Sequence, residues 1–247
     1  NSFEALNEPI ILDGPYSNSA FDIVCKNDKV YMIIGGKDLL NGKRFDKGGY
    51  ILTYDYDKWS FIDPKEAQKK LNLPRNPRDY TSIAVTTDDS NDEIVYASSM
   101  GDGVIQYKNG TPVQSYNEKN AFKETAGGYG SGYCYIDGLA FDKNGNLWMT
   151  SSEVNHAVLV LDKAGAWHRL DIEQLRGVYT INDILITSTN DKWIYVPRNT
   201  PKLVMIPNSE SLDEVSSYEF TTLIDTDGKE LTPSNYTCVA EDKDGYI

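Results

Sequence analysis

Short apolar stretches along the chain alternate with turns that are rich in Asp, Asn and Gly. The clearest example is GLAFDKNGNLWMTSS, residues 138–152, in which an apolar stretch leads into a Lys-Asn-Gly-Asn turn and then into a stretch that contains Trp148. Strands of four to eight residues bounded by such turns are typical of antiparallel β-structure. We therefore predict a β-hairpin over residues 138–152.

The same hairpin pattern recurs along the chain. Its other copies are FDIVCKNDKVYMIIGG (21–36), SIAVTTDDSNDEIVYASSM (82–100), DILITSTNDKWIYVPR (183–198) and CVAEDKDGYI (238–247). Two further short strand patterns follow every copy except the last one, 238–247, so each unit has four strands. Trp59 and Trp167 hold the same place in the fourth strand of their units. A repeat of four short strands, about 40–50 residues long, is typical of a β-propeller blade.

The repeat predicts an all-β fold. We expect a β-propeller of four-stranded antiparallel blades, four complete and a fifth partial, in one domain over 1–247 that can be a fragment of a larger propeller. The approximate blades are 20–63, 80–120, 135–174, 178–225 and 235–247, with an N-terminal strand over 8–14 that could close the ring. A two-stranded blade would expose an edge, so we expect a longer polypeptide or a partner to cover it.

Two segments between the strands have helical features. Residues 63–74 begin with an Asp cap followed by Pro and end before Pro74, which predicts a short helix. Residues 171–177 predict one further helical turn. Both would be decorations of the propeller.

Composition narrows the function. The net charge of −13 argues against binding a nucleic-acid backbone. The sequence contains no apolar run long enough to span a membrane. Cys25, Cys134 and Cys238 form neither a zinc pattern nor a disulfide framework, and we expect them to be buried or half-buried thiols.

Asp142, Asn144 and Asn146 also match the first odd positions of a calcium loop. However, Asn-Gly is a strong hairpin signal. The other hairpin copies keep turn residues at this corner but change their spacing, which a set of metal ligands would not tolerate. We favour a hairpin turn and retain calcium as the weaker alternative.

The candidate binding surface follows from propeller geometry. The loops between blades, and those after each second strand, lie on one face, which we call the crossover face; the hairpin turns lie on the other, the turn face. Loops on a rigid scaffold commonly carry function, and tyrosines suit wet ligands such as sugars. The candidate ligand-binding residues are Arg78, Asp79, Tyr129, Tyr133, Tyr135, Asp137, Asn155, His156, Asn182, Asp183 and Arg198. Ordinary solvated loops remain the alternative.

A catalytic role would require paired carboxylates or a cluster of His, Tyr and Arg at the channel mouth. Asp79, Asp137 and Asp183 lie at or near the start of a first strand and could line such a mouth. With His156 and His168 as the two histidines, no catalytic triad is indicated. We predict no catalytic residues, no cofactor and no metal beyond the calcium alternative.

Three segments carry a resemblance to a known family: GLAFDKNGNLWMTSS, GDGVIQYKNGTPVQSYNEKN and LIDTDGKELTPSNYTCVAEDKDGYI. They resemble the two-component-regulator propellers of Bacteroidota, and within these the PorZ-like surface proteins of the type IX secretion system. The resemblance covers roughly residues 20–247. It implies an exported propeller in the periplasm or on the outer surface of a Gram-negative bacterium.

The same resemblance implies two roles, and the sequence leaves both open. One is a non-catalytic role at the outer membrane in secretion; the other is glycan sensing ahead of a signalling module. The implied partners are a glycan or surface polysaccharide, other domains of the parent chain, or secretion components. We therefore predict a non-catalytic ligand-binding or protein-interaction module, with a propeller glycan lyase or hydrolase as the third possibility.

Overall fold

The computed structural model describes residues 14–39, 41–122, 132–198 and 200–247. It confirms the predicted all-β propeller fold: four successive four-stranded antiparallel meanders form the blades. Neighbouring blades lie side by side through their first strands. Blades 2 and 3 also share a ladder, because Met100 and Gly101 pair with Tyr135 and Cys134.

The strands of the blades have the following bounds. Blade 1 contains β1 Ala20–Lys26, β2 Lys29–Ile34, β3 Ile51–Asp55 and β4 Lys58–Ile62. Blade 2 contains β5 Tyr80–Thr87, β6 Glu93–Gly101, β7 Gly103–Lys108 and β8 Thr111–Tyr116. Blade 3 contains β9 Cys134–Phe141, β10 Leu147–Ser151, β11 Val158–Leu161 and β12 Trp167–Leu170. Blade 4 contains β13 Ile184–Ile186, β14 Lys192–Val196, β15 Lys202–Ile206 and β16 Tyr218–Phe220.

Each core lies between two blades, because every strand alternates its side chains between the two faces of its sheet. Trp148, which is 1% exposed, packs from blade 3 against the apolar residues of blade 4. Tyr31 and Tyr96 occupy the same place in the cores between blades 1 and 2 and between blades 2 and 3. The aromatic residue that leads each second strand is therefore a packing residue.

Six turns in the described residues share one hydrogen-bond pattern. The N–H of the first residue donates to the carbonyl four residues later, and the N–H of the fourth residue donates back to the first. These turns begin at Asp88, Asp142, Asp162, Thr187, Asp225 and Asp242. The fourth residue is Asn or Gly with a positive φ, as a type I turn with a following left-handed residue requires. The repeated Asp/Asn/Gly corner thus has a conformational cause.

The helical predictions also hold. Helix α1, Pro64–Leu71, starts at the cap residue Asp63, whose carboxylate accepts a hydrogen bond from Lys65 N, and Pro64 occupies the first turn. The 171–177 segment contains a single 3-10 turn, Glu173–Leu175. No helix of the described residues is both long and apolar enough to cross a membrane.

The last two repeats differ from expectation. The predicted fourth strand of blade 4 is divided into β16 and a separate hairpin, β17 Leu223–Ile224 with β18 Glu230–Leu231. Residues 238–247 form the expected turn at Asp242 but contain no strand. The preceding segment runs along blade 4 instead, where Tyr236 N donates to Pro197 O and Ser188 binds Glu241. Residues 236–241 thus contact blade 4 through individual hydrogen bonds, and no strand pairing of a fifth blade occurs in 238–247. The predicted strand at 8–14 lies outside the described residues, except for Gly14.

Candidate functional site

The strand registers bring one residue from each blade to an equivalent place near the axis. Val24, Ala84, Ala140 and Leu185 pair with the leading aromatic residues of the four blades. Counting back two positions from each gives Asp22, Ser82, Gly138 and Asp183. We call this set the axial ring.

Contacts confirm that the axial ring is compact. The Asp22 carboxylate accepts hydrogen bonds from Ser82 Oγ at 3.2 Å and Ile83 N at 3.1 Å, and Ser82 Oγ accepts one from Leu139 N at 3.2 Å. A Cβ on Gly138 would lie 2.7 Å from Asp183 Oδ1. Glycine at this place therefore lets Asp183 approach the axis closely.

The ring places two carboxylates in each other's field. Burial raises the pKa of Asp183 to about 7, with the charge of Asp22 as the second cause and that of Asp137 as a further one; the Ile184 hydrogen bond and Lys37 oppose the shift. Burial also raises the pKa of Asp22, although three hydrogen bonds act in the opposite direction. Close carboxylates disfavour simultaneous ionisation.

Next to the axis, on the crossover face, Asp137 forms a buried ion pair with Lys37 of the loop after β2. Both side chains are at most 3% exposed. Ser152 Oγ donates to Asp137 Oδ2 at 2.5 Å, and Lys37 Nζ donates also to Ile181 O at 3.2 Å. The Asp137 charge is therefore compensated within the protein, and its main effect is to hold three loops together.

Asp79 is similarly occupied. Its carboxylate, which is fully buried, accepts hydrogen bonds from Arg44 Nε and from Lys47 N, both at 2.9 Å. Arg44 also donates to the Tyr133 hydroxyl, and its guanidinium lies 5.6 Å from the centre of that ring. Burial alone would lower the pKa of Arg44, but the bonds to Asp79 and Tyr133 outweigh it and raise the pKa. Asp79 fixes the 41–47 loop.

Glu153 and Arg198, unlike Asp137 and Asp79, have buried polar atoms without a hydrogen-bond partner among the described residues. These atoms are Glu153 Oε1 and Arg198 Nε. Glu153 lines a depression together with Gly42, Tyr179 and Thr180. A Cβ on Gly42 would lie 3.2 Å from Arg198 Nη2, so both charged side chains border the same place. Burial, followed by the charge of Asp137, raises the pKa of Glu153.

The depression is shallow. Its volume is about 10 Å³, which is space for about one water molecule. Tyr179 on its rim is 49% exposed. Glu153 itself has φ of +62°, a conformation that a non-glycine residue holds at a cost and that often occurs at functional sites. The depression is too small to enclose a small-molecule ligand.

The other predicted residues have varied environments. Tyr135 is buried and meets Tyr133 edge to face, with ring centres 4.9 Å apart. Asn182 is buried and donates to the Tyr195 hydroxyl at 2.9 Å. Arg78 is exposed, and its backbone N–H donates to Asp102.

Asn155 is exposed and His156 is half-buried, both in the loop after β10. Tyr129 lies outside the described residues.

The calcium alternative concerns the turn at Asp142, whose carboxylate accepts hydrogen bonds from within the hairpin. The Asp142 carboxylate accepts hydrogen bonds from Asn144 N, Asn146 N, Asn146 Nδ2 and Trp148 Nε1, at 2.8 to 2.9 Å. The Asp-x-Asn-x-Asn-x-Trp pattern therefore has a structural explanation: one carboxylate fixes the turn and the buried indole. No metal-binding cluster of His, Cys, Asp and Glu occurs among the described residues.

Sequence reasoning missed Asp22, Lys37, Arg44 and Glu153 as individual residues. Lys37, Arg44 and Glu153 lie in loops that it did assign to the crossover face. Asp22 had a signal that was not used: aligning the hairpin copies on their leading aromatic residues places it beside Asp183.

The described residues form a β-propeller with a small polar depression on its crossover face. A comparison with family models gives no match, and one with curated proteins gives none either. Solved structures do match. PorZ, a surface component of the type IX secretion system of Porphyromonas gingivalis, superimposes with a TM-score of 0.80 at 19% identity over 96% of this chain and 32% of its own.

A second match is the extracellular domain assigned to a hybrid two-component system of Bacteroides thetaiotaomicron. It has a TM-score of 0.53 at 17% identity, over 93% of this chain and 31% of its own. These two solved structures belong to the two groups of proteins that the sequence resembles. The chain spans about a third of the length of each. At such identities the likeness shows the propeller fold alone. A family 43 β-1,3-galactosidase also matches, but its TM-score of 0.35 carries no argument.

Proposed function

We propose that this propeller is a non-catalytic recognition module of an exported protein and that it binds a macromolecular partner through its crossover face. The observation that carries the proposal is the pair Glu153 and Arg198, whose buried polar atoms find no partner among the described residues. Such atoms cost free energy unless something else satisfies them. A partner's hydrogen-bonding groups would do so.

The shape of the site indicates the size of the partner. Pockets for small molecules usually measure about 300–1,000 Å³, far more than the 10 Å³ of this depression. An extended surface polysaccharide or a protein segment can instead lie across the face, with Tyr179 as an aromatic contact at the rim. The neighbours' names, a surface component and an extracellular domain, support an exported location.

A glycan array together with purified secretion components tests the proposal. We expect binding by the wild-type chain and a loss of about tenfold or more in Arg198→Ala and in Glu153→Ala, since each removes one charged contact. Gln114→Ala, on an outer strand of blade 2, serves as the control and should bind as the wild type does. The proposal fails if no probe binds, or if all three variants bind equally.

The axial ring favours a second candidate, a glycan hydrolase or lyase. Asp183, with a pKa of about 7, could hold a proton near neutral pH beside the carboxylate of Asp22, whose pKa burial also raises. Glycoside hydrolysis usually employs a pair of carboxyl groups, one of which carries a proton. Polysaccharide cleavage by the wild type that Asp183→Asn abolishes would establish this candidate in place of the first.

A further inference from the structure

A groove of about 610 Å³ opens on the turn face between blades 1 and 2, on the opposite side of the propeller from the proposed contact surface. It is lined by the hairpin turns and by the facing sides of β3 and β4. Its volume lies within the range of small-ligand sites. Nothing in the proposed function makes use of it.

The strand register explains why the groove exists. Thr53 pairs with Tyr31, and Ser60 pairs with Thr53, so the three side chains lie in one row on the sheet face that is turned to blade 2. The two hydroxyls lie 2.5 Å apart and bind each other. Thr53 on β3 and Ser60 on β4 hold the two outer places of this row, and because both residues are small they leave space between the blades.

The same row is filled differently in the next two blades. Gln106 and Gln114 hold the two outer places in blade 2, and Val160 and His168 hold them in blade 3. Between blades 2 and 3 the space also contains the ring of Trp167, which meets Tyr116 edge to face at 5.4 Å. The groove is therefore a property of the blade 1 sequence and not of the fold.

The chemistry of the lining is neutral and rich in hydrogen-bonding groups. The charged residues are Lys29 and Glu93, which pair with each other at 3.1 Å, and Glu93 also accepts a hydrogen bond from the Tyr31 hydroxyl at 2.5 Å. Hydroxyls and side-chain amides make up most of the remainder, and Ile62 adds an aliphatic surface. Alternating hydroxyl edges and C–H faces are the complementary features of a sugar ring.

We infer that this groove is a second binding site, and that it takes a neutral polyhydroxylated ligand of sugar size. Glu93 at 3.1 Å and Asp55 at 3.8 Å together offset the charge of Lys29, so no unpaired positive charge remains to attract an anionic ligand. Thr53, Ser60 and Thr87 offer hydroxyls that both donate and accept, and Asn91 offers an amide. The aliphatic side chain of Ile62 would lie under the C–H face of the ring.

Isothermal titration with maltose, cellobiose and lactose, and with glucuronate as a charged comparison, tests the site. We expect at least one neutral disaccharide to bind and glucuronate to bind more weakly. Thr53→Phe fills the groove and should weaken binding by about tenfold or more, whereas Arg198→Ala on the opposite face should leave it unchanged. If Arg198→Ala loses the crossover-face partner but still binds the disaccharide, that result bears on the proposed function and not on the groove.

Hydrogen exchange of the wild-type chain with the bound disaccharide provides a measurement that does not depend on a variant that folds. The turns at 87–93 and at 109–110 should become protected, because they form the rim of the groove. Three results would overturn the inference: no binding of any neutral disaccharide, equal binding by Thr53→Phe, or protection that is confined to the crossover loops.

Discussion

The Asp142 turn permits a quantitative test of why the repeated corner is acidic. In Asp142→Ala, the main-chain N–H of the exposed Asn144 can still reach water at the turn, whereas that of the buried Asn146 cannot easily do so. The side-chain donors Asn146 Nδ2 and Trp148 Nε1 cannot easily do so either, since these residues are 8% and 1% exposed. At about 1–3 kcal/mol for each of these three stranded donors, we expect a loss of about 3 kcal/mol or more in the free energy of unfolding.

The matched control is Asp225→Ala. Asp225 begins a turn with the same hydrogen-bond pattern, but it accepts from the exposed Asp227 N and Lys229 N. Its loss should be about 1 kcal/mol. Urea unfolding of both variants gives the comparison, and equal losses would refute the reasoning. A rise in the wild-type midpoint on adding calcium, absent in Asp142→Ala, would instead support the metal alternative.

Three further outcomes follow from the buried groups. Asp137→Asn strands the Lys37 ammonium and should cost about 3–5 kcal/mol in urea unfolding; a loss under about 1 kcal/mol would contradict the buried pair. The folded chain holds the Asp183 proton up to about pH 7, whereas the unfolded chain releases it near 3.8, so stability should fall as pH rises through this window. Asp183→Asn should reduce that fall, and an unchanged pH profile would exclude Asp183 as its cause. The expectation of buried or half-buried thiols is wrong for Cys25 and Cys238, which are exposed, and right for Cys134. Burial raises the pKa of the Cys134 thiol to about 12, so iodoacetamide should modify Cys25 and Cys238 in the native chain and spare Cys134. Rapid modification of Cys134 would contradict this burial.

The sequence predicted those parts of the molecule that local chemistry controls. The hairpin over 138–152 was predictable because an Asp that can cap the turn and a Gly that accepts a positive φ act within five residues of each other. The helix at 63–74 was predictable for the same reason, since Asp63 and Pro64 set its first turn. The blade repeat added the role of Trp148, because equivalent aromatic residues in repeated strands must meet equivalent neighbours.

The candidate site was predicted less well, because its properties depend on charges that are distant in sequence. Asp137 and Asp79 were predicted as candidate ligand-binding residues that could line a channel mouth, but both are held in ion pairs by the loop after β2. Asn182 is likewise bound to Tyr195. Glu153 was not singled out, although its loop was assigned to the correct face. Residue type alone does not tell an occupied carboxylate from one that is available to a partner.

The sequence by itself thus determined the strand repeat, the turn chemistry and the propeller class, since each arises from neighbours within one hairpin. The tertiary structure decided which polar groups find partners. Lys37 reaches Asp137 across 100 residues of sequence, while Glu153 Oε1 and Arg198 Nε find no partner among the described residues. It also decided where space remains, because Thr53 and Ser60 leave a groove only when blade 2 faces them. Pairing and packing between distant segments depend on the assembled blades, and no local pattern encodes them.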